Sequence, residues 1–310
     1  MNHFFFVMSE MKMVFLGTGC SNPTSERNLS ATALRFMGQW MLFDCPEGTQ
    51  RQMMKSNVSY MKVKYIFFSH FHADHFLGFP GLVATMSMHE RDYPLHIFGP
   101  KGTEERIKRS LNLGLMRKDF EINVTELKRT GKIVSEEFFE VTAFPLKHEV
   151  PCLGYSFKEN DKDGEFQRAK ALKLLPEGPL WGKLQKGQAV KWRGKTIEPE
   201  QVMDYTKGKK GRKVSVVMDT LPSSSYYDYI EDSDVLVHES AFADKFEQRA
   251  KETKHSTARQ AARVAVETNA KKLVLTHISP RHKKNSELEN EARQEFADVV
   301  VAEDLMKMTL

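Results

Sequence analysis

Along most of the chain, short wholly apolar runs alternate with stretches of helical spacing, the pattern of sheets covered by helices. Met13-Val-Phe-Leu16 leads into Gly17-Thr-Gly19 and reads as a strand. Thr32–Phe36 and Met41–Asp44 read as two more, joined through Gly38. Tyr65-Ile-Phe-Phe-Ser69 is apolar up to its last residue and bounded by polar ones, as in a strand buried on both faces. Val214–Met218, Asp234–His238 and Lys272–Thr276 continue the series. Between the last two, Thr257-Ala-Arg-Gln260 has the form of a capping box and predicts a helix to about Glu267, with Ala261, Ala262, Val264 and Ala265 as its packing side. The class implied is α/β.

One segment breaks the pattern. Lys158–Lys213 holds fifteen Lys/Arg against eight Asp/Glu and seven of the 18 glycines, while the rest of the chain holds 31 basic and 33 acidic residues. All of the net charge of +5 therefore belongs to this stretch. It resembles neither a regular helix nor a strand of the core. Leu172, Leu174, Leu175, Leu180, Trp181, Leu184 and Trp192 are too many large apolar groups for a plain linker. The segment reads as an inserted module with its own contacts that offers a basic face to something anionic.

The 310 residues, 40% hydrophobic and 28% charged, suffice for one large domain carrying that insertion. No apolar run approaches the ~20 residues of a membrane helix, and Phe4–Met8 is shorter than the ~7–15-residue core of a signal peptide, so a cytoplasmic protein is expected. Cys20, Cys45 and Cys152 lack any Cys-x-x-Cys spacing and read as reduced, buried thiols, neither a disulfide framework nor a thiolate metal site.

Chemistry concentrates in Ser69-His-Phe-His-Ala-Asp-His-Phe-Leu-Gly78, directly after the apolar strand. His70, His72, Asp74 and His75 put four metal-competent groups into six residues, and a tight loop can divide them between two metals. Imidazole with carboxylate suits Zn²⁺ best, with Mn²⁺ or Fe²⁺ as alternatives. Two metals need further ligands, and His148, Asp219 and His277 are candidates because each sits where a strand should end. His3, His89, His96 and His282 have no supporting neighbours and read as solvated. Met53, Met54, Met86 and Met88 read as packing residues.

The chain resembles the metallo-β-lactamase superfamily and, within it, the ribonuclease Z family. The resemblance runs through Phe15-Leu-Gly-Thr-Gly19, Pro23 with Arg27-Asn28, Asp44 in Leu42-Phe-Asp-Cys-Pro-Glu-Gly48, the histidine loop, and His148 followed by Gly154-Tyr155. It continues through Gly178-Pro-Leu-Trp-Gly-Lys-Leu184, Asp219-Thr220, His238-Glu239, His255-Ser-Thr257 and Leu275-Thr-His-Ile-Ser-Pro-Arg281. The histidine loop identifies only the superfamily; the Gly178-Pro179 insertion and the His255 segment narrow it to the tRNA-processing branch.

The resemblance implies an αββα sandwich with two zinc ions at one edge. One would be held by His70, His72 and His148, the other by Asp74, His75 and His277, with Asp219 bridging. Asp74 would also act as base toward water, and His255, oriented by Glu239, would serve the leaving oxygen. Asp44 would brace the loop without touching metal. The insertion, with Gly178 and Pro179, would be an arm gripping precursor tRNA in a homodimer, the arm of one subunit serving the other's active site. Arg27 and Asn28 would contact the acceptor end, in a loop of family form Pro-x-Lys-x-Arg-Asn in which Ser25 takes the lysine position. The resulting expectation is a zinc-dependent endoribonuclease that trims precursor tRNA, with a small-substrate phosphodiesterase or a 3′ exonuclease as alternatives.

Overall fold

The computed structural model describes residues 10–115 and 119–310; the Phe4–Met8 run lies outside the described residues. The chain divides into two compact units, one comprising the described residues up to Ser135 with Val141–Phe157 and Lys213–Leu310, the other Glu136–Glu140 and Lys158–Arg212.

Strands run in chain order as β1 (Lys12–Gly17), β2 (Ala31–Phe36), β3 (Gln39–Phe43), β4 (Val63–Phe67), β5 (Leu95–Gly99), β6 (Ile122–Glu126), β7 (Gly131–Ser135), β8 (Phe139–Leu146) and β9 (Cys152–Glu159). Next come β10 (Glu165–Phe166), β11 (Val190–Trp192), β12 (Lys195–Ile197) and β13 (Met203–Asp204), followed by β14 (Lys213–Val217), β15 (Val235–Glu239), β16 (Leu273–Thr276), β17 (Val299–Val301) and β18 (Lys307–Thr309). They build two seven-stranded sheets, ordered β18-β1-β2-β3-β4-β5-β6 and β17-β16-β15-β14-β9-β8-β7.

Strand β4 shows why the sheets stack. Its Ile66, with Phe68 just beyond its end, points into a cluster with Leu42, Phe79, Leu82 and Met86, under the helix Phe79–Met88. Tyr65 and Phe67 point the other way, into an aromatic layer where Phe67 lies 5.3 Å from Phe43 and 5.2 Å from Tyr155 of the second sheet. The Tyr155 hydroxyl donates to the Phe68 carbonyl at 2.6 Å, so a polar tip is satisfied inside the apolar layer. The second sheet covers its other face with Ala261, Ala262 and Ala265 of the helix Ala258–Glu267, set against Leu236, Leu273 and Leu275. Helix, sheet, sheet and helix follow in that order, an αββα sandwich. The Thr257–Gln260 capping box forms as expected, each side chain meeting the other residue's amide.

The arrangement aims strand ends at one place. β14, β15 and β16 are mutually parallel, so their carboxyl ends align and deliver Asp219, Glu239 and His277 side by side. β3, β4 and β5 are parallel in the first sheet and deliver Asp44 and the histidine loop.

Some expectations change. The inserted segment does contain regular structure: helices Arg168–Leu174 and Pro179–Gln185, and a β11–β12 hairpin. Pro179 occupies the first helical turn, where its missing N–H costs nothing, and Trp181 and Leu184 fall on the side that packs with Ala171, Val190 and Ile197. Met53 and Met86 are core residues, but Met54 and Met88 are 53% and 82% exposed. His282 is buried, accepting from the Ala243 amide at 3.2 Å and facing Glu287 through its other nitrogen, and His96 is half-buried against Tyr65. The three cysteines are free and buried, as expected.

A fully buried Arg91 ties together the starts of β4 and β5. Its guanidinium donates to the carbonyls of Tyr93 (2.9 Å), Val63 (2.9 Å), Pro94 (2.8 Å) and Met61 (3.4 Å), and lies 3.9 Å from the Tyr93 ring centre. Arg91→Met keeps the volume but strands four carbonyls. It should lower stability by about 3–5 kcal/mol, read from the urea midpoint, against less than about 1 kcal/mol for the exposed control Arg109→Met.

Candidate metal centre

The centre assembles two sets of donor atoms. His70, His72, His148 and Asp219 each offer one atom within 4.8 Å of the others, and so do Asp74, His75 and His277. His72 Nδ1 lies 3.0 Å from His70 Nε2 and 3.3 Å from His148 Nε2. His75 Nε2 lies 3.2 Å from His277 Nε2.

Asp219 stands between the two sets and divides its oxygens. Oδ2 is 3.5 Å from His70 Nε2 and 3.7 Å from His148 Nε2, while Oδ1 is 3.4 Å from His75 Nε2 and 3.2 Å from His277 Nε2. Asp74 Oδ2 sits 3.8 Å from both His75 Nε2 and His277 Nε2 and accepts from the Ser21 amide at 2.7 Å.

Imidazole nitrogens facing one another at such distances either share a proton or aim their lone pairs at a common cation. Among the described residues Asp219 Oδ1 and His277 Nδ1 have no hydrogen-bond partner although both are buried, which is costly unless something else binds in the cluster. Nitrogen and carboxylate donors without thiolate fit a divalent metal site. The Cys152 sulfur lies 3.8 Å from His70 Nδ1, on the outer side of the ring, and burial holds its thiol well above the usual range, protonated and no ligand.

The outer nitrogens are fixed by partners of graded strength. Asp44 Oδ2 meets His75 Nδ1 at 2.7 Å, while Asp44 Oδ1 accepts from the Ser69 amide and Oδ2 from the Ser69 hydroxyl, each at 2.7 Å. Ser69 Oγ is also 3.0 Å from His70 Nδ1, and His148 Nδ1 faces the Lys254 carbonyl at 3.2 Å. Asp44 and His277 both hold a left-handed backbone, φ 59° and 60°, as the strand ends turn their side chains inward. Gly78 packs so tightly on Pro46 that a Cβ would sit 1.9 Å from its carbonyl oxygen, which lets the histidine loop close against the Asp44 turn.

Electrostatics separates the two sets. Burial, reinforced by the charge of His75, holds His70 well below its ordinary value, and burial lowers His148 as well, so both rings are neutral and their lone pairs free. For His75 burial is outweighed by Asp219, Asp44 and Asp74, and its value rises to about 10. Burial works against the ionised form of Asp219, but the His277 and His75 imidazoles prevail and hold it well below the usual carboxylate range. His255 is likewise opposed by burial and lifted to about 9 by Glu239, whose Oε1 lies 3.0 Å from Nδ1, and by Asp219.

The seven expected ligands thus converge, with Asp44, Glu239 and His255 around them. Gly178 and Pro179 lie exposed in the second unit, at the start of its helix. Arg27 is differently engaged: its guanidinium donates to Thr18 Oγ1, Asn285 Oδ1 and the Ala302 carbonyl, while Asn28 donates to the Glu47 carbonyl. Ser21, Ser69 and Lys254 escaped sequence reasoning because an amide, a carbonyl or one serine beside a ligand carries no pattern.

Comparison with known proteins finds relatives along nearly the whole chain. A Ribonuclease Z from Methanosarcina acetivorans is 44% identical over 302 residues, covering 97% of this chain and 98% of the relative. That of Methanosarcina mazei is 44% identical, covering 96% and 97%. The crystal structure of human tRNase Z, short form, matches with a TM-score of 0.69 at 29% identity, covering 96% of this chain and 98% of that one. Residues 11–158 also match the family model described as anti-Pycsar protein Apyc1.

Two outcomes test the centre. Below about pH 10 the metal-free chain keeps a proton on His75, which a cation must displace. Zinc uptake near neutral pH should therefore release a proton, and affinity should weaken about tenfold for each unit of falling pH, seen by calorimetry in buffers of different ionisation enthalpy. Asp44→Asn has one acceptor oxygen for both His75 and Ser69 and should lower zinc affinity about 10- to 100-fold in a chelator competition.

Proposed function

The chain belongs to the ribonuclease Z family, and from that premise we propose that it removes the 3′ trailer of precursor tRNA. It cuts on the 3′ side of the discriminator nucleotide, leaving a 3′ hydroxyl on the tRNA and a 5′ phosphate on the trailer. The observation that carries the reading is the division of the Asp219 oxygens between two buried donor sets.

His70, His72 and His148 would hold one divalent cation, Asp74, His75 and His277 the other, with Asp219 common to both. Zinc suits the donors best, with Mn²⁺ or Fe²⁺ as alternatives. Such a pair, when bound, lowers the pKa of water and neutralises charge gathering on a phosphodiester.

The chain's own groups do the rest. Burial opposes ionisation of Asp74, but the neighbouring His277 and His75 imidazoles, each 3.8 Å from Oδ2, hold it well below the usual carboxylate range. It is a carboxylate at working pH, oriented by the Ser21 amide, and takes the proton from the attacking water. His255, an imidazolium held by Glu239, returns a proton to the departing 3′ oxygen.

Binding falls to the second unit. Its basic surplus grips backbone phosphates, whose repeated charge needs no base-specific contact. Gly178 and Pro179 present one part of that surface. Arg27 and Asn28 set the loop whose exposed Thr24–Glu26 stretch meets the acceptor end. Two chains pair so that the arm of one serves the metal site of the other, in the cytoplasm. No helix among the described residues is long and apolar enough to cross a membrane. A phosphodiesterase for small substrates would leave the basic unit without a task.

Purified protein on end-labelled precursor tRNA should give one product ending at the discriminator, and a ladder of shortened products would instead mean exonuclease action. Replacing Lys158–Arg212 by a short Gly/Ser linker should spare hydrolysis of a small chromogenic phosphodiester. The same change should lower cleavage of precursor tRNA on the order of 100-fold and flatten the salt dependence of binding. Equal losses on both substrates would assign the segment to the fold instead.

A further inference from the structure

The stretch Gly17–Ser30, between β1 and β2, runs past one half of the metal centre. Its Ser21 amide holds Asp74 Oδ2 at 2.7 Å. Its Cys20 amide donates to the Ile278 carbonyl at 3.1 Å and its Thr18 carbonyl accepts from the Ile278 amide at 2.8 Å, so the residue after His277 is stitched to the same stretch. Two donors of one half-site, Asp74 and His277, therefore depend on a segment without regular structure at those positions.

That segment is held from the far end of the chain. Asp304 Oδ2 accepts from the Asn28 amide at 2.6 Å and from Gln52 Nε2 at 3.0 Å, and Oδ1 accepts from the Thr18 hydroxyl at 2.8 Å. Thr18 Oγ1 in turn accepts from Arg27, which also donates to the Ala302 carbonyl at 3.0 Å. The two legs of the loop meet where the Thr18 and Gly19 amides donate to the Asn28 carbonyl at 3.0 and 2.9 Å. One carboxylate thus clamps both legs, and each of its oxygens has a donor waiting. An amide fills that place poorly, because its nitrogen would have to donate to the Thr18 hydroxyl oxygen that Arg27 already engages.

We infer that Asp304 is a positioning residue for the Asp74–His75–His277 half of the centre. It acts through Thr18 and Asn28 on the Ser21 amide and the Ile278 backbone. The other half is braced elsewhere, by Ser69 at His70 and by the Lys254 carbonyl at His148. Loss of the Asp304 carboxylate should loosen one half and leave the other. Arg27, an arginine beside an active site, belongs to this clamp through Thr18. The inference rests on the two-cation reading, and the wild type tests that reading first.

Metal-free wild type, Asp304→Asn and Thr18→Val are titrated with zinc by calorimetry, and bound zinc is counted by elemental analysis after dialysis. Wild type should take two equivalents. Asp304→Asn should keep one at wild-type affinity and bind the second about 10- to 100-fold more weakly. Its kcat on precursor tRNA should fall while KM stays within about twofold. Thr18→Val, which removes the hydroxyl joining Asp304 to Arg27, should move the same way and decides the question if Asp304→Asn shows no cooperative melt. Two equivalents at wild-type affinity in the variant, or equal weakening of both, would overturn the inference. A single equivalent in the wild type would overturn the two-cation reading itself.

Discussion

Three imidazole nitrogens and a carboxylate facing one another at hydrogen-bond range, beside a second such group sharing that carboxylate, form a cluster that gains little by itself. The nitrogens of His70, His72 and His148, with separations of 3.0 and 3.3 Å, cannot all be satisfied by one shared proton, and a buried polar atom left unpaired costs about 1–3 kcal/mol. The fold must hold this arrangement against its own tendency to spread. It does so with parallel strands whose carboxyl ends coincide and with an aromatic layer that keeps the two sheets in register behind them. The donors are short loops away from rigid elements, so their freedom is limited before any cation arrives.

Charge is arranged as carefully as position. Three buried carboxylates, Asp44, Asp219 and Glu239, surround the histidines, and each has a separate task. Asp219 lies between the two donor sets, Asp44 fixes the outer nitrogen of His75, and Glu239 binds His255 while accepting from the Thr220, Ala241 and Ser256 amides. Burial opposes ionisation of Glu239, but the charge and hydrogen bond of His255 hold it below the usual carboxylate range, and its negative charge in turn keeps His255 protonated. The left-handed turns at Asp44 and His277 are the local conformational cost of turning two strand ends into the same space.

Legibility in the sequence followed the physics of each feature. The apolar strand Tyr65–Phe68 and the Thr257 cap are local patterns, and the structure repeats them within a residue or two. That the seven candidate donors come together was legible because metal-competent residues at strand ends are a rare combination. Burial of His282 was not legible, because it depends on the Ala243 amide meeting it from far away in the chain. The helices of the inserted segment were hidden by glycine and charge, yet Pro179 in a first turn and two apolar side chains on one side were enough to form one. Met54 and Met88 show the opposite error: each neighbours a core methionine by two residues or fewer, but helical geometry turns it outward.

Arg27 illustrates the same limit with more consequence. In sequence, an Arg-Asn pair in a loop near histidines points to a phosphate or a base edge, since a guanidinium is the usual partner of both. In the fold the guanidinium is spent on Thr18, Asn285 and Ala302, and its net effect is to stiffen a loop that carries the Ser21 amide. The two demands on the protein explain why. Gripping a polyanion needs only many charges at tolerable distance, an attraction that salt can screen. Holding Asp74 and His277 at a shared site needs positions fixed to fractions of an ångström, which only short, directional bonds supply. A cation committed to the second task cannot serve the first, so Arg27, its guanidinium bonded to Thr18, Asn285 and Ala302, is an internal brace of the loop whose Ser21 amide meets Asp74.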